Sequence, residues 1–264
     1  MQPPPADPKR DWYGRDEAFV ERLRPFLQFL YHDYFRVEVT GAAFLPVSGR
    51  AMMVANHSGT LPYDGAMLAV AVFNEASTPR AVRFLIDDFA FRLPLLGTFL
   101  RRIGGLPASR ENATELLKRG ELIAVFPEGV AGVGKLYDER YRLQRFGHGG
   151  FVKVAIRTRT TVLPTAIIGA EEIHPLIWKS ELFAASFGLP YIPFTPTFPW
   201  LGPLGLVPLP TKWRIIFGKP VSFARAKPAD AENEKFVAQK TEEIRKTIQR
   251  MIDSALTTRQ SVWY

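Results

Sequence analysis

Two apolar runs, residues 51–55 (Ala-Met-Met-Val-Ala) and 121–126 (Glu-Leu-Ile-Ala-Val-Phe), constrain the fold more than any other feature of the chain. The second is apolar almost without interruption, so a strand there needs cover on both faces. Central strands of a largely parallel sheet have that cover, from helices packed above and below. Further strand-like stretches fall at residues 36–40, 82–86, 105–108, 161–168 and 213–217. Between them, helical spacing marks residues 16–36, 64–73, 93–102, 110–119 and 229–255, with Gly120 as a C-terminal stop and Pro25 as a bend in the first helix. Strands alternating with helices predict an α/β fold: a mixed, largely parallel central sheet flanked by helices.

At 264 residues, 47% of them hydrophobic, the chain can bury one sizeable core. Neither a repeat nor a dividing linker is visible, so residues 16–264 are expected to form one domain behind a flexible, Pro-rich tail at 1–15. The absence of cysteine excludes disulfides and thiolate metal sites. Together with an N-terminus lacking a signal pattern, it fits a cytoplasmic protein. The four histidines (His32, His57, His148, His174) show no helical pairing, so no metal site is expected. A formal charge of +8 favours anionic partners, either lipid headgroups or phosphate-bearing co-substrates. No nucleic-acid-binding motif accompanies it, and a nucleic-acid partner is not expected.

Residues 182–211 carry no charge but seven prolines, a density that no spanning helix tolerates. With Phe183, Phe187, Tyr191, Phe194, Phe198 and Trp200, the segment can dip into a membrane interface or wall an acyl-chain groove. It can equally be a loop folded onto its own core.

The chemistry concentrates in residues 54–64, Val-Ala-Asn-His-Ser-Gly-Thr-Leu-Pro-Tyr-Asp. A strand end, a tight loop and a helix start can hold the His57 imidazole against the Asp64 carboxylate. The carboxylate would then fix the ring tautomer and stabilise the imidazolium, which makes His57 a general base. The plainer reading has Asp64 as a helix N-cap and His57 as a turn residue. A second loop, Phe126-Pro127-Glu128-Gly129, follows another buried strand and is expected to open on the same sheet edge, where ligands of such folds bind.

With both loops in hand, the chain resembles the glycerolipid acyltransferase family, which includes the 1-acylglycerol-3-phosphate acyltransferases. Asn56, His57 and Asp64 match its first block, Gly104 or Gly105 with Arg110 its second, residues 126–129 its third and Val162-Leu163-Pro164 its fourth. Residues 146–151 look like the glycine-containing helix start that follows the third block. Two departures stand out. Six residues separate His57 from Asp64 where the family has four, a loop that resembles a subgroup reading Gly-Thr-Leu-Pro. Val130-Ala131-Gly132 also stands where the family often reads Thr-Arg-Ser, whose arginine helps hold substrate phosphate.

The resemblance implies direct acyl transfer by His57 and Asp64 from acyl-CoA or an acyl carrier protein to a lysolipid hydroxyl, such as that of lysophosphatidic acid. No further cofactor is implied. Acceptor phosphate would fall to Arg110, Lys135 or Arg145; otherwise the acceptor lacks phosphate, as diacylglycerol or a long-chain alcohol does. Glu128 and Gly129 would help position the acceptor. The plainer alternatives are a solvated turn for Glu128 and a water-facing first-turn residue for Arg110. The implied location is peripheral, at the inner face of the membrane.

Two rivals come from other classes. Residues 129–135 match the Gly-x4-Gly-Lys of a phosphate-binding loop, but Leu136 replaces the hydroxyl residue that ligates magnesium. A non-catalytic peripheral lipid-binding protein would use the basic surface and residues 182–211.

Overall fold

The computed structural model describes residues 10–58, 61–93, 95–185 and 189–264. In chain order the elements are α1 (Glu17–Phe29), β1 (Glu38–Thr40), β2 (Ala51–Ala55), α2 (Tyr63–Glu75), β3 (Val82–Ile86), α3 (Asp88–Arg92), α4 (Leu96–Arg102), β4 (Leu106–Pro107) and α5 (Arg110–Lys118). They continue with β5 (Leu122–Val125), α6 (Val130–Val133), α7 (Gly150–Thr158), β6 (Thr161–Ile168), β7 (Trp178–Ser180), α8 (Glu181–Ala185), β8 (Ile192–Phe194), β9 (Arg214–Phe217) and α9 (Glu234–Thr257).

Seven strands form one sheet in the order β1-β9-β6-β2-β5-β3-β4. From β6 to β4 all neighbours run parallel, whereas β9 is antiparallel to β6 and carries β1 alongside in its own direction. The largely parallel, mixed sheet is the architecture expected from the sequence. On β2, Ala51, Met53 and Ala55 enter one core cluster while Met52 and Val54 enter the other, as the two-residue strand period requires. The first cluster packs against α2 and the end of α1, the second against α5, α7 and α9. A strand whose two faces both meet helices has no polar side, which is why this one reads as an apolar run.

Local chemistry sets the helix ends. The Asp16 carboxylate caps α1 by accepting from Phe19 N (2.9 Å), and Ser109 caps α5 by accepting from Asn112 N (3.0 Å). Gly120, at φ +81°, ends α5 in the left-handed conformation that glycine adopts without strain. Pro25 lies inside α1 without ending it, and the helix closes in a π turn at Leu30–Tyr34. The last helix begins at Glu234 instead of residue 229 because residues 228–231 form a separate 3-10 turn behind Pro228.

The sequence reading needs two corrections here. The flexible tail does not extend to residue 15: Arg10 bridges to Asp16, and Asp11 pairs with the buried guanidinium of Arg83, which ties this stretch to β3. Residues 1–9 of that tail lie outside the described residues. The β7–β8 hairpin, antiparallel in register Trp178 to Phe194, went unread because Pro193 and the short strands hide its alternation. No helix among the described residues is long and apolar enough to cross a membrane.

Candidate active site

Because β2, β5, β3 and β4 run parallel, their carboxyl ends share one edge of the sheet. His57 lies just past β2, Glu128 just past β5, and Arg110 opens the helix after β4. Asn56 anchors the first loop. Its amide donates to Ile167 O (2.8 Å) and accepts from Ile167 N (2.7 Å), which extends the ladder between β2 and β6 by one side chain and fixes the backbone that carries His57.

The His57 Nδ1 and Asp64 Oδ2 atoms are 2.6 Å apart. Asp64 is fully buried and also accepts from Ser58 N (3.0 Å) and Gly65 N (2.7 Å). Three donors around one buried carboxylate hold it in place, and the start of α2 adds the favourable end of a helix dipole. The N-cap reading of Asp64 fails, since the cap of α2 is Pro62, which has no side-chain donor or acceptor to offer. The imidazole stacks on Phe126 (4.5 Å between centroids, 24° between planes), and Phe126 stacks in turn on Phe84. With Nδ1 on the carboxylate, Nε2 is the free nitrogen, and no described residue hydrogen-bonds it. Gly59 and Thr60, in the long turn between the pair, lie outside the described residues.

Glu128 is buried, and the solvated-turn reading is wrong. Its Oε1 accepts from His57 N (2.9 Å) and its Oε2 from Gln144 N (2.7 Å), so one carboxylate joins the histidine loop to the segment leading to α7. Lys135 completes this arrangement. Its Nζ lies 2.9 Å from Glu171 and 3.4 Å from Glu128, with the side chain 3% exposed. Glu171 also accepts from Tyr141 N (2.9 Å), and burial pushes its carboxyl up against the opposing pull of Lys135. The expected grip of Lys135 on a substrate phosphate does not fit this position, and neither does a phosphate-binding loop at 129–135. The ammonium sits between two carboxylates inside the protein.

Gly129 adopts φ +54° and hydrogen-bonds back to Phe126 O (3.0 Å), closing the turn ahead of α6. Arg110 and Arg145 are both exposed. Arg110 lies beside Gly150, its Nε 3.6 Å from where a Cβ on that glycine would sit, and Arg145 follows Gln144, whose peptide Glu128 holds. These two cations remain open to an anion at this edge.

Sequence reasoning missed Gly132. A Cβ there would come within 2.7 Å of the Glu128 Cβ and 3.0 Å of the His57 Cβ, so only glycine lets α6 pass this close to the histidine. The extra glycine between the two glycines of the Gly-x4-Gly-Lys run was the available signal, and close packing explains it.

A carboxylate-held histidine thus sits at the carboxyl edge of a largely parallel α/β sheet. The family model for Acyltransferase matches residues 36–168, just over half of the 264 residues, and the chain belongs to that family. It is 46% identical over 255 residues to the uncharacterized protein Rv0502 of Mycobacterium tuberculosis, covering 96% of this chain and 71% of that protein. It is 27% identical over 194 residues to the human DGAT1/2-independent enzyme synthesizing storage lipids, covering 74% of this chain and 55% of that enzyme. The fold is similar to that of the 1-acyl-sn-glycerophosphate acyltransferase PlsC from Thermotoga maritima, with a TM-score of 0.57 and 18% identity over 94% of this chain and 85% of that one.

Proposed function

We propose that the protein moves a fatty acyl group from a thioester, acyl-CoA or acyl carrier protein, to a glycerolipid hydroxyl. The observation that carries this reading is the 2.6 Å contact between His57 Nδ1 and the buried Asp64 carboxylate, which leaves Nε2 free to act as base. In the reaction Nε2 takes the acceptor hydroxyl proton as the oxygen attacks the thioester carbonyl. The Asp64 carboxylate stabilises the imidazolium so formed. The tetrahedral oxyanion collapses and breaks the carbon–sulfur bond, and the departing thiolate takes the proton from the imidazolium. Ester and free thiol are the products.

Two observations favour an acceptor without phosphate. Lys135 is held by Glu128 and Glu171, and Val130-Ala131-Gly132 supplies no cation, which leaves Arg110 and Arg145 of the three candidate cations for a phosphate. The similarity to an enzyme synthesizing storage lipids supports the same choice.

The test is thiol release from palmitoyl-CoA with lysophosphatidic acid, diacylglycerol or a long-chain alcohol as acceptor. The wild type is expected to turn over, and His57→Ala to lose about 10²- to 10⁴-fold of the rate. Near-normal turnover by His57→Ala would overturn the assignment. No thiol release by the wild type with any acceptor would favour a lipid-binding protein without catalysis.

A further inference from the structure

Outside the catalytic loops, exposed apolar side chains concentrate in residues 176–207. Leu182 is 82% exposed, Trp200 73% and Leu204 73%, and Ile177, Trp178 and Val207 are exposed with them. Phe187 and the Phe183 side chain lie outside the described residues. The remainder is firmly built. Trp178 packs on Phe194 across the hairpin (4.6 Å between centroids), and Thr195 N bonds to Phe198 O (2.8 Å). A 3-10 turn at Gly202–Leu206 folds back so tightly that a Cβ on Gly205 would lie 2.5 Å from Thr197 O. A segment folded onto its own core would have turned Trp200 and Leu204 inward. Here a hydrogen-bonded backbone holds them in water, where burying them would be favourable.

This unit borders the active site from two sides. Tyr191 donates to Val133 O (2.7 Å) and Tyr137 N to Leu176 O (2.8 Å), which joins the hairpin to α6 and so to Gly132 beside His57. On the other side His174 Nε2 bonds to Leu206 O (3.0 Å), and the His174 ring lies 6.4 Å from Tyr63, the residue before Asp64. The run from 182 to 211 bears no charge, whereas the whole chain carries +8. Tryptophan and aliphatic side chains without charge, on a cationic protein, match the boundary between acyl chains and anionic headgroups.

We propose that the described residues 176–185 and 189–207 dock the protein on an anionic bilayer, with Trp178, Trp200 and Leu204 entering the headgroup–acyl boundary so that a lipid acceptor reaches His57 along the membrane surface. The proposal rests on the acceptor being a lipid. Flotation with vesicles of equimolar phosphatidylglycerol and phosphatidylcholine tests it. Trp200→Ser with Leu204→Ser should cut vesicle partitioning by about 10-fold or more, while thiol release with a short-chain, freely soluble acceptor stays at the wild-type rate. Trp200→Phe should restore partitioning, which excludes misfolding as the cause.

Unchanged partitioning in the double variant overturns the proposal. So does a wild-type dimer in sedimentation velocity that the double variant dissolves, since a second copy would then cover the patch. His57→Ala separates the two claims: it should lose transfer and keep partitioning. Failure of transfer in every protein, with partitioning still lost in the double variant, would sink the enzymatic reading and leave the docking surface standing.

Discussion

Around His57 the polar groups are buried and paired: Asp64 takes three donors, Glu128 holds two peptide N–H groups, and Lys135 sits between two carboxylates. Across α6, the described residues of 176–207 reverse this pattern, with a sequence free of charge from residue 182 onward and large apolar side chains held in solvent. Both regions are held by hydrogen bonds among their described residues, but for different ends. The first fixes charge where a proton must move, and preorganisation there costs nothing at the moment of reaction. The second holds apolar area that no described residue covers. Substitutions in the first region should therefore strike kcat, and substitutions in the second should strike partitioning alone.

The largest effect expected in the first region, beyond loss of His57 itself, comes from Asp64→Asn. The amide oxygen can still accept from Gly65 N, but the NH2 replaces the oxygen that Ser58 N shares with His57 and turns an N–H toward Nδ1. That forces the proton onto Nε2 and removes the base. Thiol release should fall about 10²- to 10⁴-fold with the thermal midpoint nearly unchanged. A loss of less than tenfold would mean that Asp64 shapes the loop without tuning the imidazole, and the division between the regions would blur.

Lys135→Met sharpens the comparison by separating a structural cation from a substrate-binding one. The methionine matches the lysine stem but leaves Glu128 and Glu171 buried without their shared ammonium, and stability should drop by about 3–5 kcal/mol in urea unfolding. KM should move alike for phosphate-bearing and phosphate-free acceptors. A selective rise in KM for lysophosphatidic acid, with stability intact, would return Lys135 to the substrate site.

Much of the fold was legible because the parallel strands announce themselves. Residues 51–55, 82–86 and 161–168 match β2, β3 and β6 to the residue, and β5 differs only at its ends. Their apolar runs reflect burial on two faces, a property each strand carries locally. The His57–Asp64 pair was legible for the same reason, since a strand end and a helix start bracket it. Lys135 and Glu128 were not. Their partners, Glu171 and the Gln144 peptide, come from segments whose approach depends on how β6 and α7 pack, and no local pattern encodes that. The hairpin at 176–194 was hidden by prolines that sequence reading takes as breakers.

The smallest effect belongs to the junction between the two regions. His174 is buried and donates Nε2–H to Leu206 O, while its Nδ1 has no partner among the described residues. Burial lowers its pKa below the ordinary 6.5, against the weaker upward pull of the Leu206 carbonyl. Lys135 and Arg140 line the same small cavity and oppose a further positive charge, whereas Glu171 faces it with the opposite sign. The unfolded chain therefore binds a proton near pH 6.5 that the folded chain refuses. The contribution to stability is whole above that pH and is lost as pH falls through the window below it, by at most about 1.4 kcal/mol per pH unit. Glu171, pushed upward by its own burial, changes stability in the other direction, so the variant must be read against the wild type. His174→Gln keeps a donor for Leu206 O and cannot titrate, so its urea midpoint should fall less than the wild type's between pH 7.5 and pH 5.5. Equal slopes would show that His174 accepts its proton without loosening Leu206, and that the docking unit and the catalytic loops are not joined through this ring.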